Sequence, residues 1–157
     1  MKTAIYLVLS FVLLAAPVDL SKLVYKALYS GSLEDIEVAL SKLNSEEDSP
    51  LIRAYKAALY AKEADKLKGV ADKVQAFKKG AMMLEEEIKA YPDNVEFRFL
   101  RLAIQEKSPA ILGYQDNIEE DKQKIIENYS SLDGRLKKQI SQFATRSKYL
   151  KPEDLPQ

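Results

Sequence analysis

From Leu20 to Phe143 the apolar positions of this chain recur every three or four residues, the period of helices that bury one face. Leu20, Leu23, Val24, Ala27 and Leu28 form a first stripe that stops at Gly31, a residue suited to the left-handed turn that ends a helix. Ser32 restarts the chain. With Asp35 three positions on it resembles a capping pair, and Leu33, Ile36, Leu40 and Leu43 give a second stripe, so the two helices are predicted to form a tight hairpin. The polar, acidic run from Asn44 to Ser49 ends in Ser49-Pro50, an N-cap followed by a proline at the first helical position. The helix that follows carries Leu51, Tyr55, Ala58 and Leu59 near one face, and its small alanines let another helix approach closely. After Gly69, Val70, Val74, Phe77, Ala81, Leu84 and Ile88 keep helical spacing over about five turns. Tyr91-Pro92-Asp93-Asn94 ends this longest helix.

The next stretch, Val95 to Gln105, has almost no face that wants water. On a helical wheel Phe97, Leu100 and Ile104 fall on one side and Val95, Phe99 and Leu102 on nearly the opposite side. Arg98, Arg101 and Gln105 make a narrow polar stripe between them, and Glu96 and Ala103 lie on the other seam. Such a helix needs neighbours on both flanks, which predicts a central, largely buried position. Lys107, Ser108 and Pro109 mark its end. Beyond the apolar loop Pro109 to Tyr114, Ile118, Ile125 and Tyr129 predict one more helix, and Leu132, Leu136, Ile140 and Phe143 a last one.

About seven helices with short turns and no strand signal predict an all-α domain of antiparallel hairpins over residues 17–150, followed by a flexible tail at 151–157. The run from Phe77 to Arg101, FKKGAMMLEEEIKAYPDNVEFRFLR, resembles the second helix of a tetratricopeptide repeat, its Pro-Asp-Asn turn and the start of the next repeat. With Pro92 at the repeat's proline, Gly80 and Leu84 take the small and large packing positions. Glu87 stands where a small residue is usual, and no second copy follows at a period of about 34 residues. The resemblance covers one degenerate repeat. It implies a right-handed array of helices that presents a concave surface to a protein or peptide. The signal-like N-terminus, taken with the segments YPDNVEFRFLR and LGYQDNIEEDK, is also similar to uncharacterised secreted bacterial helical proteins.

The N-terminus has its own pattern. Met1-Lys2-Thr3 is a short basic opening, and Ala4 to Ala16 carries no charge, which is the shape of a secretory signal too short for a relaxed membrane span. Residues 1–16 are therefore expected to direct export to the periplasm or exterior of a bacterium; the alternative is a buried N-terminal helix. Cleavage after Ala16 is imperfectly specified, because Leu14 lies third from the cut and Pro17 follows it. An uncleaved signal would leave a membrane anchor.

Composition removes several kinds of chemistry. The 157 residues include no Cys, no His and no Trp, so disulfides, histidine acid-base catalysis, cysteine nucleophiles and His/Cys zinc sites are excluded. Twenty-four basic and 24 acidic residues balance, so total charge draws the chain to neither nucleic acid nor an anionic membrane. The lysines from Lys62 to Lys79 lack the aromatic interleaving of a nucleic-acid site and are interrupted by Glu63, Asp65 and Asp72. Glu85-Glu86-Glu87 and Glu119-Glu120-Asp121 have no calcium-loop or bundle-metal spacing, and consecutive helical residues point in different directions. Asn128-Tyr129-Ser130 fits the N-glycosylation triplet, which has meaning only in a eukaryotic secretory pathway. No catalytic motif, cofactor or metal site is expected.

Candidate binding residues are Arg98, Arg101, Tyr55 and Tyr114. The arginines have two readings: pairing with Glu85, Glu119, Glu120 or Asp121 to tie helices together, or gripping a carboxylate or phosphate in a groove. Nine tyrosines supply either amphipathic contact surface or helix packing. The function these features predict is a non-enzymatic module for protein or peptide interaction, with a small anionic ligand bound between helices near Arg98 and Arg101 as the alternative.

Overall fold

A computed structural model of the chain describes residues 19–109 and 112–156; the segment read as a signal lies outside them. The described residues form seven α-helices and no strand: α1 (Leu20–Ser30), α2 (Leu33–Asn44), α3 (Pro50–Glu63), α4 (Val70–Ala90), α5 (Val95–Gln105), α6 (Ile118–Asn128) and α7 (Gly134–Ala144). Short 3-10 turns follow α3 at Ala64–Lys66 and α6 at Tyr129–Ser131. Among the described residues no helix is long and apolar enough to cross a membrane.

The helix ends lie where the punctuation of the sequence puts them. Gly31 sits at φ 58°, and its N–H closes α1 on the Ala27 carbonyl. Ser32 Oγ accepts from the Asp35 N–H at 3.1 Å, Ser49 Oγ from Ile52 at 3.3 Å, and Asn94 Oδ1 from Phe97 at 3.2 Å. Each such cap contributes about 1 kcal/mol. The Ser32/Asp35 pair works in one direction only: the Asp35 carboxylate turns away to Lys26 Nζ (2.7 Å) and Ser30 Oγ (2.7 Å). These contacts hold its carboxyl below the usual range, the hydrogen bond from Lys26 contributing most.

Two apolar positions assigned to buried stripes are exposed. Leu33 is 44% and Val70 79% accessible, because both stand in the first turn of their helices, where the packing against neighbours has not yet begun. The remaining stripe of α2 (Ile36, Leu40, Leu43) is buried, as are Phe77, Ala81, Leu84 and Ile88 of α4.

Helices α3 and α4 approach each other closely. An ideal Cβ added to Gly80 would lie 2.4 Å from the Ala61 nitrogen and 2.7 Å from the Ala57 carbonyl oxygen, so the α4 backbone rests directly on α3. Arg53 of α3 secures the other end of this hairpin, donating through Nε to Glu87 Oε1 at 2.5 Å and through Nη1 to Asp48 Oδ2 at 2.6 Å. That partner explains an acid at position 87 where a small residue was expected.

Helix α5 runs through the middle, with ten of its eleven residues buried. It packs against α3, α4, α6 and α7. Phe99 stacks on Tyr25 of α1 (centroids 5.5 Å apart) and meets Phe143 of α7 edge-on at 5.3 Å, so one side chain joins three helices. The C-terminal segment, expected to be loose, folds back: Pro152–Asp154 form a 3-10 turn and Asp154 pairs with Lys122 of α6 at 3.0 Å. Leu150 is fully buried and Leu155 packs on the core, which gives this segment an apolar reason to stay.

Candidate functional site

The charged residues of α5 belong to two separate networks on opposite flanks. On the first, Arg101 clasps Asp121 of α6 through Nε to Oδ2 and Nη2 to Oδ1, both at 2.7 Å, and its Nη1 donates to Glu85 of α4 at 2.8 Å. Arg98 donates to Glu120 at 2.7 Å, to Asp121 at 3.2 Å, and through Nε to the Pro92 carbonyl at 3.1 Å. Tyr114 closes the group with a 2.6 Å bond to Glu85 Oε1. Burial raises the Asp121 carboxyl and the two guanidiniums oppose that rise. Burial also works against charge on Arg101, but Asp121 and Glu85 outweigh it and hold the guanidinium above its ordinary pKa. The arginines thus take the tying role: Arg101 is 3% and Arg98 8% exposed, and both are paired with acids of neighbouring helices.

The second flank was not foreseen. Glu96, also buried, accepts two bonds at 2.8 Å from Arg135 of α7, one at 3.1 Å from Tyr25 of α1, and one from Tyr55 of α3. One carboxylate therefore joins four helices. Tyr55 is 1% exposed, which removes it from any contact surface; its hydroxyl serves this carboxylate instead. Burial first, and then the charge of Glu96, push both the Tyr25 and Tyr55 hydroxyls well up. A lone acid on a helical seam carries no mark of its partners, and Arg135 lies 39 residues away, so no spacing rule connects them. The available signal was Glu96 itself, an acid in a helix with no wet face.

The four candidate residues are consequently divided. Arg98, Arg101 and Tyr114 come together in the first network, while Tyr55 lies in the second. No residue of either network lines the apolar cavity described next. Arg98 borders a cleft of about 130 Å³ together with Lys124 and Asn128, and that cleft is mostly polar.

The apolar cavity lies toward the other end of α5. It has a volume of about 190 Å³ and sits where α1, α3, α5 and α7 all reach their C-termini, with α4 crossing behind. Leu28, Ala61, Phe77, Ala103, Ile104 and Phe143 form its walls. Lys62, Asp65, Lys107, Arg146 and Tyr29 also line it, together with the buried Glu106 and Ser147. Glu106 is buried and accepts a short bond from Ser147 Oγ through one oxygen and a 3.3 Å bond from Lys107 through the other. Ser147 and Glu106 are bonded to each other and buried, while Lys107 and Arg146 are exposed, an arrangement suited to holding a molecule.

The chain matches no family model, no curated protein and no solved structure. Among the described residues no group of three or more His, Cys, Asp or Glu side chains could hold a metal ion. The chemistry of the cavity therefore stands on its lining alone.

Proposed function

We propose that this chain is an exported, non-catalytic helical module that binds a small, largely apolar ligand in the cavity between α1, α3, α4, α5 and α7. The observation that carries this reading is the cavity: a concave, mainly apolar space with a few polar groups in its lining is the usual form of a ligand site. The same feature moves the ligand reading away from Arg98 and Arg101, whose donors are already engaged by Glu85, Glu120 and Asp121. Cavities of about 150 Å³ lined by apolar side chains take up benzene-sized molecules. Toluene titrated into the labelled domain tests the reading: shifts confined to the methyl signals of Ala61, Ala103 and Ile104, lost in Ala103→Phe, support it. The absence of shifts in the parent protein would remove it.

Interaction with a protein or peptide through a tetratricopeptide-like, right-handed array is the second reading. The seating of Gly80 on Ala57 and Ala61 favours it, since close helix pairing through small residues is what the repeat resemblance requires. Export rests on the uncharged run Ala4 to Ala16 behind Lys2. Fractionation of cells making the full chain checks it: a cytosolic product that retains Met1 to Ala16 would refute export, and retention in a membrane fraction would indicate an uncleaved anchor.

A further inference from the structure

We infer that the ligand of this cavity is an amphiphilic carboxylate, its body of about six carbons enclosed by Leu28, Phe77, Ile104 and Phe143 and its anionic head held at the rim by Arg146 and Lys107. The inference rests on the binding reading above and adds the charge of the ligand. The rim holds three cations, Lys62, Lys107 and Arg146, and two acids, Asp65 and Glu106. The acids are not equally available. The Glu106 side chain has 0% exposure and is held from behind by Ser147, while Asp65 is engaged by Lys62 at 3.0 Å.

Two of the cations are open, while Lys62, 21% exposed, is taken up by the 48% exposed Asp65. Arg146 makes no ion pair among the described residues; its guanidinium lies 5.3 Å from the centre of the Tyr29 ring, which orients it without using its N–H donors on an acid. Lys107 is 57% exposed and reaches Glu106 only at 3.3 Å. An arriving carboxylate would meet a planar guanidinium with free donors and an ammonium able to swing toward it.

Four helix C-termini converge here, and their partial negative charge argues for the opposite sign of ligand. That charge is met in part by main-chain N–H groups at three of the four ends. Gly31 N–H bonds the Ala27 carbonyl, Lys107 N–H the Ile104 carbonyl, and both Arg146 and Ser147 N–H groups the Phe143 carbonyl. With Lys62 and Asp65 paired and the Glu106 side chain buried, the open side-chain charges here are those of Lys107 and Arg146. A cationic ligand would be set against Lys107 and Arg146, and a neutral one would accept hydrogen bonds from them without the ion pair.

The experiment compares 3-phenylpropionate, 3-phenylpropan-1-ol and 3-phenylpropylamine, which share one apolar body, by calorimetry at low ionic strength. The acid is expected to bind about tenfold more tightly than the alcohol, and the amine most weakly. Added salt should narrow the difference. Arg146→Ala is expected to bring the acid to within about twofold of the alcohol measured on the same variant. Arg146→Gln serves the same purpose if the alanine variant loses its fold. Alcohol binding as tight as acid binding, or amine binding tighter than both, would overturn the carboxylate and leave the cavity reading intact. Failure of all three to bind would overturn both.

Discussion

Arg101 and Asp121 meet face to face between α5 and α6, with two parallel hydrogen bonds of 2.7 Å and no water-exposed side on the carboxylate. Removing one partner of such a pair leaves the other charged and buried, which costs about 3–5 kcal/mol. Arg101→Ala is therefore expected to lower the urea midpoint severely, and Arg101→Met combined with Asp121→Asn much less. Arg98→Ala should cost only about 1–2 kcal/mol, since Glu120 is 49% exposed and Asp121 keeps Arg101. Unchanged midpoints in both single alanine variants would contradict the tying role.

Gly80→Ala reverses the usual rule. In a free helix this change stabilises by about 1 kcal/mol. Here the new methyl would sit 2.4 Å from the Ala61 nitrogen, and backbone cannot step aside as a side chain can. Loss of about 1–3 kcal/mol, or more, is expected in thermal melts. A gain would mean that α3 and α4 do not touch there.

Gln105 is fully buried, and neither its amide nitrogen nor its amide oxygen has a hydrogen-bond partner among the described residues. A buried unsatisfied polar group costs about 1–3 kcal/mol. Gln105→Met, which keeps the length of the side chain, is expected to raise the midpoint of chemical denaturation by part of that amount. A clear loss of stability would show that the amide is serving a partner.

High pH tests the tyrosines. Burial is the leading cause that raises the hydroxyls of Tyr25, Tyr29, Tyr55 and Tyr114, with Glu96 adding to it for Tyr25 and Tyr55 and Glu85 for Tyr114. Their pKa values are higher folded than unfolded, so the stability they contribute is fully present below about pH 10, the unfolded value, and is lost as pH rises beyond it. Tyrosinate absorbance in the folded protein should lack these four groups until the chain unfolds, and urea midpoints should fall above about pH 10. Complete titration of all nine tyrosines near their ordinary value without unfolding would be inconsistent with their burial.

Residues whose neighbours lie within one helical turn were readable from the chain. Gly31, Ser49-Pro50 and the apolar flanks of Val95–Gln105 all act as their local patterns require. The arginine network was partly readable, because Glu85, Glu120 and Asp121 could be named as acids within reach of the right helix but not ranked. Tyr55 shows the limit: the pattern puts it on the apolar face of its helix but cannot say what its hydroxyl meets, because Glu96 and Arg135 are both distant in sequence. The cavity was unreadable for a similar reason. It is formed by the ends of helices rather than by any face, and no periodicity records where four ends will meet.

A helix that is apolar on both sides has little in its greasy surface to tell it which way round to sit. Helix α5 solves this with charge of opposite sign on its two seams: Glu96 answers Arg135, Tyr25 and Tyr55, and Arg98 and Arg101 answer Glu85, Glu120 and Asp121. Turned by a single residue, about 100°, it would still bury its phenylalanines, yet each charge would face the wrong neighbours. The two networks act as a key and its wards, admitting one rotation of the central helix and one arrangement of the helices around it.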